Sequence, residues 1–139
     1  MAFRLASDGT VQVAFCDSVD FETVEVTVEP RHWFWERPAD FTLVATLPGG
    51  MVLEGGESMD VMEYPSNWTV AGELPPDEQW ESIEVLVTRD ATEDDYGTYV
   101  GDGIARSQLV VDEWVWSTAE VGGAVRHCTP IEGVPAPRT

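Results

Sequence analysis

Glu22-Thr23-Val24-Glu25-Val26-Thr27-Val28-Glu29-Pro30-Arg31-His32-Trp33-Phe34-Trp35 is the stretch whose reading decides the fold. Val24, Val26 and Val28 alternate with Thr23, Glu25, Thr27 and Glu29, a period of two built from strong strand formers, so one face is buried and the other is wet. That pattern is a half-buried antiparallel strand. Pro30 has no N–H to give to a ladder, so it ends the strand or places it at a sheet edge. The aromatic run Trp33-Phe34-Trp35 follows at once, and Trp114 and Trp116 form a second aromatic feature. In an extended chain Trp33 and Trp35 share a face with Phe34 opposite, and Trp114 and Trp116 share another. One pair is expected to fill the core and the other to face a partner, the alternative being that all of these aromatics are core. Trp33, Phe34, Trp35, Trp114 and Trp116 are therefore the candidate binding residues, because tryptophan joins a large contact area to a polar N–H.

Working outward, Ser82-Ile83-Glu84-Val85-Leu86-Val87-Thr88-Arg89 is the second clean alternation. Towards the N-terminus, Asp8-Gly9 marks a turn ahead of a short strand carrying Val11, Val13 and Phe15. After the aromatic run a strand is expected from Phe41 to Leu47, broken by Pro48-Gly49-Gly50. Residues 51–53 and 59–63 then flank Gly55-Gly56 as a loose hairpin. Residues 67–73 read as a strand, 77–81 as one helical turn, 104–116 as one bent strand or two short ones, and 124–129 as the last strand. No helical period is sustained. Roughly eight short strands set apart by Gly, Pro and Asp turns predict an all-β fold, either a single antiparallel β-sandwich of immunoglobulin-like type or a small barrel. A length of 139 residues suits one domain, taken as residues 1–130 with a proline-punctuated tail over 131–139.

Charge narrows the partners. Twenty-six acidic residues against 7 basic ones give a formal charge of −19, which repels nucleic acid and disfavours an anionic membrane surface. No apolar run approaches the roughly 18 residues of a membrane span, and the first ten residues lack a signal-peptide core. Membrane insertion is not expected.

Few residue patterns carry chemistry. Asp90, Glu93, Asp94, Asp95 and Asp102 are the calcium candidates, since calcium gathers about six to eight oxygens. Their spacing lacks the alternate ligands and fixed glycine of a helix-loop-helix site, and the alternative is a solvated charge run. No other metal is expected: His127 and Cys128 are adjacent, so on a strand they point to opposite faces, and no paired Cys or His element accompanies them. Cys16 and Cys128 either bridge the two ends of the chain or lie buried as small apolar residues. A bridge would add on the order of 4 to 5 kcal/mol in the chain-entropy model and requires an oxidising compartment. No nucleophile elbow or phosphate-cradling glycine loop is present, so no catalytic residue and no cofactor is expected. Asn67-Trp68-Thr69 satisfies the glycosylation rule, but Asn67 reads better as a turn residue and Trp68 as a packed aromatic.

Two resemblances add to this. Asp95-Tyr96-Gly97-Thr98-Tyr99 resembles the Asp-x-Gly-x-Tyr segment that opens strand F in immunoglobulin domains, which implies a tyrosine corner at Tyr99; Gly101 stands where that family has cysteine. The run from Gly9 to Asp17, with the Val/Thr/Glu strand after it, looks like small acidic β-domains of bacterial secreted proteins, and the length and acidity are similar to those of phage virion accessory proteins. The resemblance implies a non-enzymatic structural or binding β-domain, a multi-copy surface subunit of a larger assembly such as a virion decoration or tail-surface protein. Its partners would be proteins, further copies of itself included, and its location a virion surface or the extracellular space. The alternative is a secreted or cell-surface module that recognises carbohydrate or protein through exposed tryptophans.

Overall fold

The computed structural model describes residues 1–33, 35, 36, 38–74 and 80–117. Their strands are β1 (Ala2–Leu5), β2 (Val11–Ala14), β3 (Val19–Pro30), β4 (Phe41–Leu53), β5 (Ser58–Asp60), β6 (Thr69–Gly72), β7 (Trp80–Arg89), β8 (Thr98–Ala105) and β9 (Trp114–Trp116). They form two open antiparallel sheets, ordered β5-β2-β1-β9 and β6-β4-β3-β7-β8, packed as a β-sandwich and not closed into a barrel. Among the described residues no helix is long and apolar enough to cross a membrane.

β3 is the centre of the larger sheet. Val24 lies between Ala45 of β4 and Val87 of β7, Val26 between Leu43 and Val85, and Val28 between Phe41 and Ile83. All three valines are buried, and with Ile83, Val85 and Val87 they face Phe3, Leu5, Val11 and Val13 of the smaller sheet in one continuous core. The wet face carries Thr23, Glu25, Thr27 and Glu29, as the period of two demands. Because β3 is hydrogen-bonded on both sides, Pro30 can stand only at its end, and that is where it stands.

Four elements depart from the sequence expectation, each for a local reason. β1 has no strong alternation, yet Phe3 and Leu5 are buried because β2 and β9 pair with it on either side. Pro48-Gly49-Gly50 does not end its strand. Thr23 pairs with Thr46 and Phe21 with Met51, so residues 47–50 loop out as a bulge and the chain resumes against the same neighbour. Residues 51–53 and 59–63 do not form a hairpin. β4 ends in the larger sheet and β5 pairs with β2 in the smaller one, with the turn between them crossing the core edge. Gly55 is required at that crossing, since a Cβ there would lie 2.5 Å from the Cys16 carbonyl oxygen. Finally, Trp80 belongs to β7 and is buried, under the guanidinium of Arg106 at 4.7 Å from the ring centroid.

The pairing order invites comparison with the immunoglobulin sandwich. β1-β2-β5 and β8-β7-β3-β4 pair in the order of strands A-B-E and G-F-C-C′, with β9 and β6 added at the outer edges. The tyrosine corner is not formed among the described residues: Tyr99 lies on β8 and is 81% exposed. Cys16, which follows β2, is disulfide-bonded. Cys128, its expected partner, and the expected strand at 124–129 lie outside the described residues, as does the tail at 131–139.

If this core holds the fold, Phe3→Ala and Phe21→Ala should each cost about 3 to 5 kcal/mol, while Val70→Ala on the exposed edge strand β6 should stay within about 0.5 kcal/mol. Urea unfolding midpoints of the three variants measure the difference.

Candidate functional site

The exit of β3 brings the unusual chemistry together, beginning with a break in the β7 alternation. Ile83, Val85 and Val87 point inward, so a regular strand would turn residue 81 inward as well. That residue is Glu81, and an unpaired carboxylate does not stay in an apolar core. The register shifts instead: Glu29 pairs with Ser82 and Pro30 with Trp80, leaving Glu81 as an extra, unpaired residue. Trp80 takes the inward place, and Glu81 emerges beside Glu29.

Around that bulge the polar groups are tied to one another. Glu29 Oε2 accepts from the Ser82 hydroxyl at 3.1 Å, and Glu29 Oε1 lies 3.2 Å from His32 Nε2. His32 Nδ1 is 2.9 Å from the Trp33 carbonyl oxygen. The Trp33 carbonyl, together with Glu29, raises the His32 pKa above the ordinary histidine value. Glu29 in turn is held below the usual carboxylate value by its hydrogen bonds from His32 and Ser82. The order is serine, carboxylate, imidazole, so the hydroxyl donates to the acid and does not touch the base. That is not a nucleophile–base pair.

Immediately beyond, the chain turns back on itself, with Glu36 N–H donating to the Trp33 carbonyl at 2.9 Å. The turn stacks Trp33 on Trp35 at 5.4 Å between centroids and 3° between planes, and both indoles are 65% exposed. The result is an aromatic ledge where the chain leaves β3, flanked in sequence by the exposed Arg31 and Glu36. Phe34, the third aromatic of the run, lies outside the described residues.

The second tryptophan pair behaves differently. Trp114 and Trp116 share a face, as expected, but it is the outer face of the smaller sheet, where they half-bury themselves over Ala2 and Ala14. Arg4 lies 5.9 Å from the Trp114 ring centroid. Neither pair enters the core between the sheets; the tryptophan that does is Trp80, which the sequence reading assigned to a helical turn. Trp68 packs half-buried against the core and meets Tyr64 in a tilted ring contact, with Asn67 exposed in the turn before it.

The five calcium candidates do not converge. Among the described residues the single group of three metal-ligating side chains is Glu29, His32 and Glu81, with one donor atom each inside a 4.8 Å span. Nothing in the linear sequence joins Glu81 to the other two, because a bulge and not a motif places it. Asp102 accepts from the Ser117 hydroxyl at 2.6 Å and the Gly103 N–H at 2.8 Å. Asp95 pairs with Arg89 and accepts from the Gly97 N–H, and these contacts, the Arg89 bond first, hold its pKa below the usual carboxylate value. Asp90, Glu93 and Asp94 are exposed. No family model, curated protein or solved structure matches the chain.

A depressed folded pKa means that Asp95 contributes stability in full above the unfolded carboxylate value near pH 4, and that the contribution is lost as pH falls through the lower folded value. Asp95→Asn should therefore melt below the wild type at pH 6 and converge with it near pH 2, in thermal scans across that range. Gly97→Ala should cost about 1 kcal/mol or more at every pH, because φ there is +79° and a Cβ would lie 2.5 Å from the Arg89 carbonyl oxygen.

Proposed function

We propose that the chain is a non-enzymatic contact domain, displayed in many copies on the outer surface of a larger assembly such as a phage virion, and that the Trp33–Trp35 ledge is where it meets a protein neighbour. One observation carries this reading: two parallel, stacked and mostly exposed indoles where the chain leaves β3. Tryptophan is among the residues that carry most of the binding energy of protein interfaces. A charge of −19 steers the domain towards a basic surface and opposes close pairing with its own copies. The disulfide at Cys16 supports an oxidising, outward-facing setting, extracellular or on a virion.

A second reading follows from the exposure of the two indoles. The outer face of a stacked indole pair suits the apolar face of a sugar ring, which would make the chain a secreted or cell-surface carbohydrate-binding module.

One experiment separates the readings. The tagged full chain and its Trp33→Ala, Trp35→Ala double variant are purified from the organism that makes them, and both are applied to a glycan array. The protein reading expects a neighbour recovered in fixed ratio with the wild type, a loss of about 2 kcal/mol or roughly 30-fold in affinity in the double variant, and a silent array. Array binding that the double variant loses replaces it with the sugar reading. Equal behaviour of the two chains in both assays removes the ledge from either.

A further inference from the structure

The hydrogen bonds around His32 set a constraint that the neutral imidazole does not satisfy. A carbonyl oxygen only accepts, so the contact with the Trp33 carbonyl places a proton on His32 Nδ1. In the neutral ring Nε2 then carries a lone pair, and 3.2 Å away it faces a carboxylate oxygen of Glu29, which also only accepts. Glu81 brings a further carboxylate to the same point. Acceptors converging in this way need a cation between them, either a second proton or a metal ion.

The arrangement fits a metal. An Nδ1–H bond to a backbone carbonyl is the device that fixes Nε2 as the ligand in metal-binding histidines. Bonds of about 2.0 to 2.1 Å in a tetrahedral site put neighbouring donors about 3.3 Å apart, close to the 3.2 Å between Nε2 and Oε1. A nitrogen donor in a set of three suits zinc and its transition-metal neighbours, whereas calcium takes about six to eight oxygens. We propose that Glu29, His32 and Glu81 form a binding site for a divalent transition-metal ion of the zinc type, with the remaining position open to water or to a donor atom from a bound partner.

The site is built by the fold and not by a sequence cluster. Glu29 ends the wet face of β3, Glu81 is the extra residue of the β7 bulge, and Pro30 turns the chain so that His32 comes back over both. A bound ion would link the two strands at the base of the Trp33–Trp35 ledge. The proposal does not depend on what the ledge contacts, because zinc uptake can be read with no partner present.

The test is isothermal calorimetry of the full chain with zinc chloride, and with calcium and magnesium chloride as hard-cation comparisons. Expected is one zinc per chain, with affinity reduced at least about ten-fold in His32→Ala and in Glu81→Gln, and unchanged in His127→Ala and Trp33→Ala. Zinc should also raise the wild-type melting temperature and leave that of His32→Ala in place. Circular dichroism establishes that each variant is folded, and Glu81→Gln decides the matter should His32→Ala fail to fold, since Glu81 is exposed and replaced by an isostere. Absence of zinc uptake overturns the proposal. So does uptake that His32→Ala and Glu81→Gln leave unchanged, which is diffuse binding to an acidic surface, or uptake that His127→Ala abolishes.

Discussion

The burial of Val24, Val26 and Val28 is the interaction on which the rest of the structure depends. Three β-branched side chains on one face of one strand must leave water, and they do so against Phe3, Leu5, Val11 and Val13 of the opposite sheet. A strand buried on that face and hydrogen-bonded on both edges lies in the middle of its sheet, which fixes β4 and β7 as its neighbours. Those neighbours repeat the inward pattern through Leu43 and Ala45 on one side and Ile83, Val85 and Val87 on the other. No polar or charged side chain is buried among the described residues, so the core is held by apolar contact alone.

The same constraint builds the candidate site. The inward phase of β7, continued one step further, would place Glu81 in the core beside Trp80 at the surface. Exchanging them through a one-residue bulge removes a carboxylate from an apolar setting and brings in a large indole. As a result Glu81 reaches Glu29 and His32 at the point where Pro30 ends β3. From there a tight turn presents Trp33 and Trp35 together. The bulge and the polar triad are thus successive results of core packing at the end of a strand, and the aromatic ledge follows directly after them.

What the sequence made legible follows the strength of its periodicity. The all-β architecture, β3 with its inward valines and the alternation of β7 were readable because each position there obeys a period of two. The weakly patterned β1 was not, since its burial comes from neighbours distant along the chain. Pro48-Gly49-Gly50 reads as a stop in any local rule, and only the resumed pairing of Met51 with Phe21 makes it a bulge. Trp33 and Trp35 were identified as a pair, but their stacking depends on a turn and not on the extended geometry that suggested it. The Glu29–His32–Glu81 group was invisible because its third member arrives through a break in regularity. The exposed acidic residues from Asp90 to Asp95 drew a metal reading from their density. In the fold Asp95 is neutralised by Arg89, and no three of these carboxylates gather.

Hydroxyl-radical footprinting with mass-spectrometric readout tests the central claim most directly, because it ranks tryptophan accessibility residue by residue and needs no known partner. In the free protein Trp33 and Trp35 should be among the fastest residues oxidised, Trp114 and Trp116 intermediate, and Trp80 protected, in line with their exposure. Protection of Trp33 and Trp35 to the level of Trp80 in the isolated, monomeric chain would contradict the existence of an exposed aromatic ledge at the end of β3.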